Sequence, residues 1–507
     1  MPQLTWLGDA EAKRAARHVP YRLLDPVDQI GDPAAQNMLI QGDNLEALKA
    51  LMPFYAGRVK CIFIDPPYNT KSAFEHYDDN LEHSQWLSMM YPRLELLRSL
   101  LSEQGSLWAT IDDNEGHYLK IVADEVFGRG NFVANIVWQS KDTPGNNSTG
   151  IAETHNHVIV MRKSAAFQLR LMPRNEAQLA NYTNPDEDLR GNWLAAPLTR
   201  AEHRDRDFYP LTNPAGKSVL PPRGSSWRRP PEKMQWLIAD NRVWWGRRGD
   251  AEFPMEKKFL IEAKEGVVNK TWWPYEFAGS TRNASAEIKA LFGGQKAFDT
   301  PKPEKIVQRA LEIASDEGDI VLDSFLGSGT TAAVAHKMGR RWIGIEMGEH
   351  ARTHCLPRLK KVVEGEQGGI SEAVGWKGGG GFRYFKLGER AFDENGRIHP
   401  SIRFATLASY LWFLDAGAPH PTGAFDSPLL GFHGDAAHFL LYNGILGDRR
   451  PDGGNVLTRQ VLDHLLALTP GHRGSRVVYG EAARLSPARA KQAGVEFRQI
   501  PYEIRMR

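Results

Sequence analysis

The chain has 507 residues, 41% hydrophobic and 24% charged, which is the make-up of a folded protein with more than one core and not of a disordered one. Its 63 basic and 61 acidic residues leave a net charge of only +2, so any nucleic-acid surface must be a local patch. Two cysteines, Cys61 and Cys355, offer neither a disulfide framework nor zinc-ligand spacing.

The opening Met1-Pro2-Gln3-Leu4-Thr5-Trp6 lacks a charged-then-apolar signal pattern, and no apolar run is long enough to cross a membrane. The expected location is cytosolic. Residues 40–140 then alternate apolar runs with helical patterns, which argues for parallel βαβ units. Asp43-Asn44-Leu45-Glu46-Ala47-Leu48 predicts a helix with an Asp or Asn cap. Val59-Lys60-Cys61-Ile62-Phe63-Ile64 predicts a buried strand, with Cys61 as a small hydrophobe inside it. The paired prolines of Asp65-Pro66-Pro67-Tyr68 must end that strand. They leave a carboxylate and an aromatic ring on a stiff turn at a strand's C-terminal edge, where open α/β sheets place ligands. Such a pair suits an exocyclic amine held by the carboxylate with a ring stacked over its base. A plain Asp-Pro turn is the competing reading. A helix around Trp86 to Leu101 and a strand over Gly105–Ile111, ending at Asp112-Asp113, continue the alternation.

From about 140 to 295 the periodicity weakens, and half of the chain's 14 tryptophans fall between Trp193 and Trp273. Lys141, Arg223, Arg228, Arg229, Lys233, Arg242, Arg247 and Arg248 lie among Trp227, Trp236, Trp244 and Trp245. Cations interleaved with aromatics suit phosphate contacts and base stacking. A small aromatic core with a solvated basic face competes with that reading, and is favoured for the tryptophans. Gly145-Asn146-Asn147-Ser148-Thr149-Gly150 is a candidate loop that orders on DNA.

Regular alternation resumes near 300 and runs to about 362. Asp319–Ala335 reads as strand, glycine turn and helix start, and Gly327, Gly329 and Ala332 match G-x-G-x-x-A. Arg341-Trp342-Ile343-Gly344-Ile345-Glu346 then ends a second strand in an acid able to bond ribose hydroxyls. No Lys-Ser or Lys-Thr pair follows the second glycine, so this is not a phosphate-binding P-loop. A nicotinamide-dependent oxidoreductase stays open on this segment alone. Gly378-Gly379-Gly380-Gly381 predicts a hinge into a C-terminal module.

A glycine cradle with a ribose acid, joined to Asp65-Pro66-Pro67-Tyr68, resembles the S-adenosylmethionine-dependent amino-methyltransferases of DNA. The catalytic motif precedes the cofactor motif, an order that resembles the β-group of adenine methyltransferases. Gln41–Leu48, Ile64–Thr70, Ile111-Asp112-Asp113-Asn114-Glu115 and Thr300-Pro301-Lys302-Pro303-Glu304-Lys305 are similar to segments of Type III modification subunits. The resemblance implies a Rossmann-like class I α/β fold, a twisted and mostly parallel sheet with helices on both faces. Its implied parts are methyltransferase segments over 1–139 and 296–377, a target-recognition region over 140–295 and a C-terminal module over 378–507.

It further implies N6 methylation of a flipped adenine, with Asp65, Pro66, Pro67 and Tyr68 catalytic. Asp43, Thr300, Lys302, Pro303, Asp323, Phe325, Gly327, Gly329, Thr330 and Glu346 would hold S-adenosylmethionine, with Glu346 on the ribose. Lys141, Arg223, Arg228, Arg229, Arg247 and Arg248 would contact DNA. The implied partners are duplex DNA, a second copy in a homodimer and a restriction subunit, in a prokaryotic cytoplasm near the nucleoid, with no resident metal. Several related enzymes read as Type III subunits are longer than this chain, so a solitary methyltransferase competes with a modification subunit. N4-cytosine transfer and a catalytically silent DNA-reading subunit compete as well.

Overall fold

The computed structural model describes residues 4–70, 82–143, 150–294, 298, 300–392, 398–399, 401–422, 425–442 and 454–500. The chain divides into two compact units, one formed by residues 1–170 and 270–507 and the other by Leu171–Asn269. The larger unit is built on a ten-stranded sheet. In chain order its strands are β1 Arg22–Gly31, β2 Met38–Gln41, β3 Val59–Ile64, β4 Leu101–Ile111 and β5 Phe132–Trp138. Then come β6 Asn156–Arg162, β7 Trp272–Trp273, β8 Ile320–Asp323, β9 Arg341–Glu346 and β10 Gly381–Arg390. Across the sheet the order is β1-β10-β2-β9-β8-β3-β4-β6-β5-β7.

The five pairings from β10 to β4 are parallel. β6 joins β4 and β5 antiparallel, and β1 joins β10 antiparallel. Central strands are covered on both faces, which is why β3 is an almost unbroken apolar run with Cys61, Ile62 and Ile64 fully buried. The helix Asn44–Tyr55 begins where Asp43 accepts from the backbone N–H groups of Leu45 and Glu46, at 2.8 and 3.2 Å. It leads from β2 to β3, and His83–Leu100 leads from β3 to β4 in the same direction across the sheet. The helix Thr330–Lys337 leads from β8 to β9 in the opposite direction. With right-handed crossovers, the two sets of helices lie on opposite faces. The strand order reverses between β8 and β3, and a crevice opens at their carboxyl ends.

The structure redraws the expected boundaries. β6 and β7 place the flanks of the 140–295 region inside the large sheet, so only Leu171–Asn269 forms a separate unit. Its core is Leu198, Leu211, Val219, Trp227, Met234, Leu237, Val243 and Trp245, so Trp227 and Trp245 are buried as the aromatic-core reading expects, whereas Trp244 is half-buried and Trp236 exposed. The expected hinge at Gly378–Gly381 is not one. Gly381 begins β10, and a Cβ there would lie 2.4 Å from the Ile30 carbonyl oxygen, so the glycine serves close strand approach. After β10, the helix Phe404–Ala416 and a four-stranded sheet of Leu429–His433, Ala436–Leu440, Ser475–Gly480 and Val495–Gln499 follow within the larger unit. Among the described residues no helix is long and apolar enough to cross a membrane.

Candidate active site

Parallel pairing sets Val321 of β8 opposite Cys61 of β3, so the two strands end side by side. Asp323 stands at one end and Asp65 just past the other. A cavity of about 340 Å³ lies there, within the size range of small-molecule sites. Asp65, Pro66, Pro67 and Tyr68 line it from the β3 side. Asp323, Phe325, Gly327 and Thr330 line it from the β8 side, with Thr300, Lys302 and Lys141 also on its wall. Two motifs far apart in sequence thus share one cavity.

The turn after β3 is held firmly. Thr110 Oγ1 donates to Asp65 Oδ1 at 2.5 Å from the neighbouring strand β4, and Lys302 Nζ donates to Asp65 Oδ2. Trp86 Nε1 donates to the Pro67 carbonyl at 2.8 Å, and Asn156 Nδ2 to the Tyr68 hydroxyl at 3.4 Å. The Lys302 ammonium also lies 4.9 Å from the Tyr68 ring centroid. Burial pushes the Tyr68 hydroxyl well above its ordinary pKa, and the Asp65 charge pushes it the same way, so the ring stays neutral.

On the other side the chain turns at Gly327 (φ +57°) and Gly329 (φ +84°), backbone states that favour glycine. The turn is braced from behind. Gly327 N–H donates to Glu346 Oε2 at 2.6 Å, and Cys355 Sγ lies 3.0 Å from the Gly327 carbonyl. Arg358 Nη1 reaches Thr330 Oγ1 at 2.8 Å and the Ser328 carbonyl at 3.3 Å. Its Nη2 donates to Glu304 Oε1 at 2.8 Å. Glu304 also accepts from Lys337 Nζ at 2.8 Å and from Ile370 N–H at 3.0 Å. Burial alone would raise the Glu304 carboxyl, yet the charges of Arg358 and Lys337 hold it below its ordinary value. Asp323 is shifted the other way. Burial pushes it up to about 7, partly offset by hydrogen bonds from Thr331 and the Phe325 N–H.

Four of the expected cofactor residues stand outside the cavity wall: Asp43, Pro303, Gly329 and Glu346. Asp43 caps its helix and pairs with Arg93 at 3.1 Å. Pro303 is the N-cap of the helix Glu304–Ala314, and Gly329 that of Thr330–Lys337. Glu346 is only 4% exposed, and its carboxylate accepts from the N–H groups of Gly327 and Met347, at 2.6 and 3.0 Å. Sequence reasoning missed Thr110, Trp86, Asn156 and Arg358, whose partners lie on other elements and leave no trace in local pattern.

Lys141, Arg223, Arg228, Arg247 and Arg248 are exposed, and Arg228 Nε donates to the Thr199 carbonyl at 2.8 Å. Arg229 pairs with Glu256 at 3.0 Å, so its charge is partly spent inside its own unit. Residues 145–149 of the expected DNA-ordered loop lie outside the described residues. Asn184–Trp193 forms a brace. Asp188 receives two bonds of 2.9 Å from Arg190, and the buried Lys257 contacts both Asp186 and Asp188.

Comparison with known proteins gives a consistent picture. The model of the N6_N4_Mtase family, described as DNA methylase, matches residues 59–355, more than half of the chain. The chain is 32% identical over 422 residues to the "Probable type III restriction-modification enzyme HindVI Mod subunit" of Haemophilus influenzae, covering 72% of this chain and 55% of that protein. It is 32% identical over 366 residues to the "Type III restriction-modification enzyme StyLTI Mod subunit" of Salmonella typhimurium, covering 65% and 55%. The "Type II methyltransferase M.EcaI" of Enterobacter cloacae is 28% identical over 330 residues, covering 64% and 69%. The chain spans little more than half the length of the two Mod subunits. The match spans the Asp65 turn, the glycine cradle and everything between them, and the chain belongs to the N6_N4_Mtase family of DNA methylases.

Proposed function

We propose that the chain transfers a methyl group from S-adenosylmethionine to the N6 amine of an adenine flipped out of duplex DNA. The observation that carries this reading is the shared cavity, with an amine acceptor and a ring on one wall and a glycine cradle on the other. The residues present fit the cofactor. Asp323 is a buried carboxyl raised by desolvation, Phe325 offers a ring, and the Gly327 turn brings backbone close. S-adenosylmethionine, when bound, supplies an electrophilic methyl on a sulfonium.

The chain's part is positioning and electrostatics. Asp65 and the Pro66 carbonyl would accept from the amine and so orient its lone pair. The Tyr68 ring would stack on the base and replace the stacking lost on flipping. Lys302 occupies Asp65 Oδ2 in this structure, so an incoming amine must take that position from it. Asp323, Phe325 and the Gly327–Thr330 turn would cradle the cofactor. Asp43, Thr300, Lys302, Pro303 and Gly329 would shape or close that cradle. Glu346 would bond ribose only by redirecting an oxygen that now holds backbone N–H groups.

The names of the Haemophilus and Salmonella relatives support a restriction-modification setting, with DNA, a second copy and a restriction subunit as proposed partners in a prokaryotic cytoplasm. An N4-cytosine target presents the same kind of amine, and the family designation covers both. Incubation with labelled S-adenosylmethionine and genomic DNA, followed by nucleoside analysis, decides. N6-methyladenine is the expected product. N4-methylcytosine would select the second reading, and no labelled nucleoside would overturn both.

A further inference from the structure

The loop after β4 and the start of β6 bring together a second group of side chains, outside the cavity wall. Asp113 Oδ1 lies 2.8 Å from His157 Nε2, and Asp113 Oδ2 lies 3.9 Å from His155 Nε2. One nitrogen from each imidazole and one carboxylate oxygen all fall within 4.8 Å of one another. Ligand atoms around a tetrahedral ion with bonds of about 2.0–2.1 Å stand about 3.4 Å apart, so the two separations to Asp113 bracket that spacing. The two rings meet edge to face, with centroids 5.2 Å apart. A hydrogen bond between Asp113 and His157 accounts for the shorter contact alone. It gives no reason for a second imidazole converging on the same carboxylate.

We propose that Asp113, His155 and His157 bind one divalent first-row transition ion, with Zn²⁺ and Co²⁺ as the fitting probes. Two imidazoles and one carboxylate suit that class, whereas Mg²⁺ and Ca²⁺ seek oxygen. His157 is 12% exposed and holds the inner position, while Asp113 at 47% leaves the outer side open to a water ligand. The ion would clamp the end of β4 to the start of β6. Asp112 and Asn156, immediate neighbours of these ligands, do line the cavity, and Asn156 donates to the Tyr68 hydroxyl. Occupancy would therefore fix two groups of the cavity wall without touching the reacting atoms.

The test is a titration of Co²⁺ into the full chain, untagged and stripped with chelator, followed in the visible range and repeated with Zn²⁺ as competitor. One equivalent should bind, with the intense absorption of a four-coordinate Co²⁺ site that Zn²⁺ abolishes. His155→Ala with His157→Ala should remove the signal, and Asp113→Asn, which keeps the shape and loses the charge, should weaken binding at least tenfold. Far-UV circular dichroism establishes that each variant is folded, and Asp113→Asn decides if the double variant is not. A wild-type chain that takes up no Co²⁺ at tens of micromolar overturns the proposal. So does an Asp113→Asn chain that binds as the wild type does.

Discussion

In the proposed reaction Asp65 would have two jobs that pull in different directions: to stay fixed, and to give up a bond. Thr110 donates to one oxygen and Lys302 to the other. In the proposed reaction, Asp65→Ala removes the amine's acceptor. Transfer should fall at least a thousandfold while cofactor affinity, measured by calorimetry, changes less than threefold. Near-normal turnover would remove Asp65 from the chemistry. Thr110→Val separates positioning from contact, because it keeps the volume and deletes only the hydroxyl. A hydrogen bond to a charged group contributes about 1.5–3 kcal/mol, so kcat should drop about tenfold to a hundredfold with KM for the cofactor unchanged. Equal losses in kcat and cofactor affinity would instead mean that the cavity had collapsed.

Asp323 adds a pH dependence whose sign follows from its surroundings. Burial pushes its carboxyl up to about 7. Because the folded value is raised, its effect on folding is absent below the ordinary carboxylate range. Stability then falls as pH rises toward 7 and levels off above it. S-adenosylmethionine carries a sulfonium and an ammonium, and either cation beside Asp323 favours the carboxylate. Binding should therefore release a proton. Affinity should strengthen from pH 6 to pH 8, by at most about tenfold per pH unit below 7. In Asp323→Asn that slope should vanish in fluorescence or calorimetric titrations, and a slope retained in the variant would assign it to another group.

At the scale of elements, the glycine turn is positioned by what lies behind it. Arg358 comes from the helix Leu356–Val363 and ties Ser328 and Thr330 to Glu304 at the head of another helix. Glu304 is 2% exposed and Lys337 4%. Removing one member of a buried, hydrogen-bonded charge group leaves the others uncompensated and costs about 3–5 kcal/mol. Arg358→Leu should lower unfolding stability by about that amount in urea titration and weaken cofactor binding, because the turn loses its brace. Stability within about 1 kcal/mol of wild type would mean that Lys337 alone satisfies Glu304. This brace was illegible in the sequence, where the arginine is one cation among several in an amphipathic helix. The turn itself was legible, because glycines between an apolar strand and a helix start have few other uses. β3 was legible for a related reason, since a strand covered on both faces must be apolar throughout. β1 was not, because an edge strand tolerates Pro26 and a run of exposed polar residues that hide its pattern. β6 was passed over for a different reason: Val158-Ile159-Val160-Met161 is an apolar run fit for a buried strand, but it sits in a long region of weak periodicity, and nothing local marks β4 as its antiparallel partner.

For the whole molecule, the question is why a sheet that builds one cavity carries a unit of its own between β6 and β7. The Leu171–Asn269 unit has a separate apolar core and a separate charge brace at Asp186, Asp188 and Lys257. Its neck is closed by two backbone hydrogen bonds between Met172 and Val267, at 3.0 and 2.8 Å, so chain entry and exit lie side by side. Residues paired this way sit about 5.5 Å apart at Cα, so a linker of about six residues joining Met172 directly to Val267 closes the gap without strain. The sheet's strands all lie outside the excised stretch, so replacing residues 173–266 with that Gly/Ser linker should leave the larger unit folded. It should keep S-adenosylmethionine affinity within about threefold. If this unit reads the target, DNA binding should weaken at least tenfold and lose sequence preference. Its salt dependence should also become shallower, because the phosphate contacts proposed for Arg223, Arg228, Arg247 and Arg248 are gone. A truncated chain that binds and methylates DNA with its original preference would move recognition to the larger unit, where Lys141 at the cavity rim is the first basic residue to replace.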